Sequence, residues 1–192
     1  MYYLFKNLMD KIIAFFCLLA LSPIMVLAGT LLYLLYGSPI FFSQERVGKN
    51  LKKFKIYKFR SMKIINDNNG NSLPDEYRLN NFYILFRRFK LDELPQLFNI
   101  FIGQMSFIGP RPWPIQNTEN FCDHDFRRFE VKPGLSGLAQ VNGNIDLSIK
   151  ERLHFDLKYV NNLSFILDLK IFIKTFLVVL FGEKWGKKNL RL

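Results

Sequence analysis

Two adjacent acids, Asp92 and Glu93, sit in Leu91-Asp92-Glu93-Leu94-Pro95-Gln96-Leu97, with Arg87, Arg88 and Lys90 just before them and Arg111 after. Carboxylates among this many cations can serve one polyphosphate: an acid can attack as a nucleophile or hold a hard metal ion, and guanidinium forks bind phosphate oxygens in pairs. The plainer reading is local. Asp92 can cap a helix with Pro95 in its first turn, because acids near the positive helix end are stabilising. Arg111 lies in Gly109-Pro110-Arg111-Pro112, where two prolines fix the backbone and limit where the guanidinium reaches. The turns in Lys132-Pro133-Gly134-Leu135-Ser136-Gly137 and Val141-Asn142-Gly143-Asn144 are rich in backbone amides that can cradle a phosphate or a base edge.

Composition narrows the partners. The chain has 192 residues, enough for one domain plus a membrane element, and its 27 Lys and Arg against 16 Asp and Glu give a net charge of +11. Phosphates, anionic lipid headgroups and nucleic acid are all compatible with that charge. Cys17 falls in the longest apolar run and Cys122 in a charged stretch, so a disulfide framework is not expected. With His124 and His154 as the only histidines, zinc lacks ligands, and any metal should be a hard ion of the magnesium type.

No charged residue occurs over 12–44, and 12–36 is apolar over more than the roughly 20 residues that cross a bilayer. The run is too long for a cleaved signal, and no small-residue cleavage site follows it before Glu45. Pro23, after Ser22, predicts a kink. Basic residues flank both ends, so charge leaves open a spanning helix and a re-entrant one that returns to the same face.

Downstream, Phe54, Ile56, Tyr57 and Phe59 alternate with lysines after the turn signal Gly48-Lys49-Asn50, which predicts a β-hairpin. Such an aromatic and basic segment can also stack single-stranded nucleic acid, or lie on an anionic membrane with no ligand. An exposed loop is expected over 66–75 and a helical region over 77–89, where Phe82, Leu85, Phe86 and Phe89 recur at helical spacing. The region 163–185 is apolar but interrupted by Asp168, Lys170 and Lys174, which predicts an amphipathic helix in the membrane interface.

Taken in order, Ser22-Pro23, Lys58-Phe59-Arg60-Ser61-Met62, the Asp92-Glu93 segment, Gly109-Pro110-Arg111-Pro112, the stretch from Pro133 through Gly143 and Asp168-Leu169-Lys170 resemble the small monotopic phosphoglycosyl transferases. These bacterial sugar transferases start lipid-linked glycan assembly, and the resemblance covers nearly the whole chain. It implies an α+β, mostly helical fold. Residues 1–43 would form a re-entrant membrane helix bent at Ser22 and Pro23. Residues 44–192 would carry the small β-hairpin and a helical catalytic domain with interfacial amphipathic helices, on the cytoplasmic face of the bacterial inner membrane.

The resemblance further implies transfer of a sugar 1-phosphate from a UDP-sugar to polyprenyl phosphate with release of nucleoside monophosphate. Asp92 would be the nucleophile, Asp92 and Glu93 the Mg2+ ligands, and Arg87 and Arg111 the phosphate clamps, with Lys58 and Arg60 as weaker candidates. Relatives often carry arginine after the Val-Asn-Gly turn, where this chain has Asn144, which puts the donor pocket's selectivity in question. Larger relatives have several spanning helices before the re-entrant one, so the resemblance implies a minimal form. A nucleic-acid binder and a non-catalytic scaffold on anionic lipid are the rival readings, and the scaffold would leave the acid pair without a task.

Overall fold

The computed structural model describes residues 2–63, 73–78, 81–118 and 121–181. Most of the loop expected at 66–75, and the end of the apolar region beyond 181, lie outside them.

Helix α1 (Tyr2–Tyr36) runs through Pro23. A proline at this position removes the N–H that would bond the carbonyl of Leu19, four residues back. Ser22 Oγ donates to that carbonyl at 2.8 Å, so the side chain next to the proline satisfies the group the proline orphans. The helix is long and apolar enough to cross a membrane, and its most apolar window is 17% buried. A core helix of a water-soluble domain would be mostly covered, whereas α1 presents Leu4, Leu8, Phe16, Leu19, Val26 and Leu34 outward. This surface associates the chain with a membrane.

Both halves of α1 nevertheless grip the rest of the molecule. Ala14 packs among Phe54, Ile56, Leu97, Ile100 and Met105, and Ala28 and Leu32 pack against Phe59, Tyr83 and Phe86. Near the N-terminus, Lys6 Nζ lies 2.8 Å from Asp168 Oδ2, Ser106 Oγ donates to Asp10 Oδ2 at 2.6 Å, and Tyr159 OH donates to Asp168 Oδ1 at 2.7 Å. These buried groups neutralise one another and fasten α1 to the body.

The expected hairpin is present. Strands β1 (Phe41–Val47) and β2 (Lys53–Phe59) pair antiparallel, with Arg46 opposite Phe54 and Gln44 opposite Ile56. Alternation puts Phe54 and Ile56 inside and Lys53 and Lys55 outside. Within the helical region expected at 77–89 the described residues form α2 (Asp75–Arg78) and α3 (Asn81–Arg88), and Phe82 and Phe86 face α1 while Leu85 and Phe89 are exposed.

After α4 (Gln96–Phe101), strand β3 (Ser106–Ile108) pairs parallel with β4 (Gly134–Ser136). The glycines permit this contact. A Cβ on Gly134 would stand 2.1 Å from Gly109 N, and one on Gly137 would stand 2.1 Å from Gly109 O. Helix α5 (Leu138–Val141) follows, then α6 (Ile149–Asn161), capped by Ser148, and α7 (Phe165–Phe181). Helix α7 buries Asp168, Ile171 and Val178. Its other sides carry Phe165, Ile166, Phe172, Ile173, Phe176 and Leu180 exposed, so it is less amphipathic than expected and suits the apolar side of an interface.

Candidate active site

Helix α3 ends where Lys90 takes the left-handed conformation, φ 56°, and turns the chain into a 3-10 turn, Leu91–Glu93. This turn carries the acid pair. Neither acid caps α4, which begins at Gln96 behind Pro95 without a side-chain cap; that corrects the capping reading of Asp92. Both carboxylates point inward, Asp92 6% and Glu93 8% exposed.

The two acids differ in their partners. Glu93 Oε1 accepts from Lys58 Nζ at 2.7 Å and from Arg111 Nη2 at 2.9 Å. Burial alone would raise the Glu93 carboxyl, but the charges of Arg111 and Lys58 overcome burial and hold it well below the usual carboxylate range. Asp92 has no such pairing: its Oδ1 is buried and makes no hydrogen bond among the described residues. Burial and then the Glu93 charge push Asp92 upward, against the opposing charges of Lys58, Arg87 and Lys90. Burial likewise lowers Lys58 despite its bond to Glu93.

Arg111 is set by its backbone as well as by its prolines. Its carbonyl accepts from Arg128 Nη2 at 2.7 Å. Arg128 is itself bonded to Asp156 Oδ2 through Nε at 3.1 Å and Nη2 at 2.7 Å, and lies over the Trp113 ring, 4.7 Å from its centroid. Arg46 also approaches: burial and the Arg111 charge together lower its affinity for its proton. Arg111 and Lys58, side by side on Glu93 with the Arg46 charge felt at Arg111, form a place for an anion.

Lys58 and Arg111 therefore meet at the acid pair. Arg87 is exposed on α3, with its charge felt at Asp92. Arg60 is not brought there. Its Nη2 donates to the carbonyls of Tyr36 at 2.7 Å and Gly37 at 2.9 Å, where a cation neutralises the negative end of α1. Ser22 and Pro23 lie within α1, which stays helical through the proline. Two of the glycine-turn amides expected to cradle phosphate are committed within the fold: Gly134 N donates to Pro110 O at 2.9 Å and Asn142 N to Ala139 O at 3.2 Å.

Sequence reasoning missed the buried Arg128–Asp156 pair and the approach of Arg46. One signal was available: Asp156 interrupts the helical series Leu153, Leu157, Val160, and an acid in an apolar stripe calls for a buried cation.

A cavity of about 380 Å³ opens beside the pair. Cys17 and Leu21 of α1, Phe107, Leu135, and Phe176 and Val179 of α7 give it apolar walls, and Lys90, Glu93, Arg111, Gln140 and Asn144 reach it. The described residues hold no group of three His, Cys, Asp or Glu. Magnesium is commonly held by one or two carboxylates plus phosphates and water. Asp92, with its unbonded oxygen, and the adjacent Glu93 fit that pattern.

Comparison with known proteins identifies the lineage. Residues 1–182 match the family described as bacterial sugar transferase, and the chain belongs to that family. It is 42% identical over 184 residues to the uncharacterized sugar transferase EpsL of Bacillus subtilis, covering 96% of this chain and 91% of that protein. It is 38% identical over 191 residues to UDP-glucose:undecaprenyl-phosphate glucose-1-phosphate transferase of Xanthomonas campestris pv. campestris, covering 93% of this chain but 39% of that protein. It is also 34% identical over 197 residues to undecaprenyl-phosphate galactose phosphotransferase of Salmonella typhimurium, covering 91% of this chain and 40% of that protein.

Proposed function

We propose that this bacterial sugar transferase moves a sugar 1-phosphate from a UDP-sugar to polyprenyl phosphate, releasing UMP, with Asp92 as the nucleophile. The observation that carries the reading is Asp92 itself, a buried carboxylate with an unbonded oxygen beside a Glu93 neutralised by two cations. The relatives named for glucose 1-phosphate and galactose phosphate transfer to undecaprenyl phosphate support the substrate classes.

In this mechanism an Asp92 oxygen attacks the phosphorus that bears the sugar. The bond from that phosphorus to the UMP oxygen breaks, and UMP leaves with its electron pair. The phosphosugar stays on Asp92 as an acyl phosphate until a polyprenyl phosphate oxygen attacks the same phosphorus and returns the carboxylate. One phosphoanhydride replaces another through a mixed anhydride, so positioning and charge neutralisation carry most of the catalysis. Arg111, with Lys58 and Arg46 near it, binds the non-bridging oxygens, and Arg87 adds charge from α3. Asp92 and Glu93 would hold magnesium, which when bound supplies further neutralisation of the diphosphate.

The active site belongs at the lipid phosphate, on the cytoplasmic face of the bacterial inner membrane, with α1 re-entrant. The contacts of α1 support this. Lys49 Nζ lies 4.2 Å over the Tyr3 ring, so the start of α1 touches the hairpin that follows its end. A helix crossing the bilayer would part these residues by about 30 Å of hydrocarbon.

Isotope exchange tests the chemistry. Without lipid acceptor, labelled UMP should exchange into the UDP-sugar, and sugar-labelled donor should leave phosphosugar on rapidly denatured protein. If the wild-type protein shows neither signal yet turns over with acceptor, Asp92 acts as a base or an orienting group and the covalent route is wrong.

A further inference from the structure

One polar side chain in the cavity has no use in this mechanism. Gln140, on α5, lines the cavity with both amide atoms, Nε2 and Oε1, buried and without a hydrogen-bond partner among the described residues. Its polar neighbours there are provided for. Ser136 and Thr175 share a hydrogen bond of 2.6 Å, and Thr175 also donates to Ile171 O at 2.8 Å; Glu93 and Arg111 hold each other. The position of the amide is prepared by the backbone, because a Cβ on Gly137 would stand 2.8 Å from Gln140 Oε1.

Folded proteins leave few buried polar groups unpaired, and an amide with both ends unpaired inside a cavity calls for a ligand with a donor and an acceptor together. An isoprenoid chain offers neither. A phosphate offers acceptors and would leave Oε1 orphaned. Neighbouring hydroxyls on a ring offer both, one accepting from Nε2 and one donating to Oε1.

We propose that Gln140 hydrogen-bonds ring hydroxyls of the nucleotide sugar and so determines donor specificity. The inference rests on the reaction proposed above, and two parts of the donor carry such hydroxyls, the transferred sugar and the ribose.

The test uses Gln140→Leu, which keeps an apolar side chain there and removes both polar atoms, in the full chain in lipid nanodiscs. Probes are UDP-glucose, UDP-galactose and their analogues lacking single hydroxyls in the hexose or the ribose. The variant should lose about tenfold or more in kcat/KM for intact donors, as expected when a hydroxyl partner is removed from a built site, while KM for polyprenyl phosphate stays unchanged. Wild-type protein should discriminate against one deoxy donor and the variant should not. Lost discrimination at a hexose position assigns the contact to the sugar, and at a ribose position to the nucleoside. Unchanged discrimination in the variant, or a defect confined to KM for polyprenyl phosphate, would overturn the proposal.

A second arm needs no turnover. Without donor, Gln140→Leu should melt at or above the wild-type temperature, because it removes an unpaired buried amide. A marked fall in Tm, or failure to fold, would make the amide structural and sink the proposal. Absence of UMP release by the wild type refutes the reaction, and the Tm comparison still judges Gln140.

Discussion

At the acid pair, one turn of chain gives two carboxyls opposite electrostatic treatment, and pH experiments follow from the signs. Asp92 is raised by burial and by Glu93, so the carboxylate proposed as nucleophile is lost as pH falls through a value above the ordinary ~3.9 of aspartate. The acid limb of kcat/KM should lie above that range, and a limb at or below it would detach catalysis from Asp92. An ionised group with a raised folded pKa costs stability above that pKa. Asp92→Asn should therefore melt no lower than wild type at pH 7, with the difference closing on acidification, while UMP exchange falls at least ~10³-fold. Glu93 is depressed by Arg111 and Lys58 against the effect of burial. Its stabilisation is present above the unfolded value of ~4.3 and disappears as pH falls toward the folded one. Denaturation at pH 7 should show Glu93→Gln less stable by ~1.5–3 kcal/mol, the usual worth of hydrogen bonds to a charged group. Arg111→Lys keeps charge but loses the fork, and about a 10²-fold fall in kcat is expected with the fold intact. Near-wild-type turnover would place Arg111 outside the reacting centre.

Among the elements, the segment carrying Arg111 depends on a helix that does not touch the acids. Asp156 on α6 holds Arg128, and Arg128 holds the Arg111 carbonyl. Asp156→Ala would leave a buried guanidinium unpaired, so a loss of ~3–5 kcal/mol is expected in denaturation. The middle of α1 has a similar internal logic. Pro23 orphans the Leu19 carbonyl and Ser22 satisfies it. Pro23→Leu restores the backbone donor and favours a straighter helix, which should raise the spanning population and lower activity. Unchanged topology and turnover would show that packing of both halves of α1, rather than the proline, sets its path.

For the whole molecule, the proposed reaction asks the apolar surfaces of α1 and α7 to share one lipid environment while the acid pair meets a water-soluble donor. Cysteines introduced at exposed Leu4 and Lys52 should react with an impermeant maleimide from the same side of oriented vesicles. Labelling from opposite sides would establish a spanning helix and remove the re-entrant reading.

The sequence by itself carried everything that is local or compositional. The long uncharged apolar run, the period-two alternation of Phe54 and Ile56 and an acid pair among cations are all legible because burial and backbone geometry repeat over a few residues. It also marked Lys58, Arg60, Arg87 and Arg111 as cations of interest, but it did not show how each is used. Tertiary structure decided that Lys58 and Arg111 converge on Glu93 while Arg60 turns away to the end of α1. It also decided that the glycine segment brings β4 against Gly109 and commits Gly134 N to Pro110 O. These outcomes depend on contacts between segments far apart in the chain, which no local period encodes. The same long-range packing buries Asp92 Oδ1 and the Gln140 amide without partners among the described residues, because a hydrogen bond to water is lost only when a neighbouring segment closes over the group.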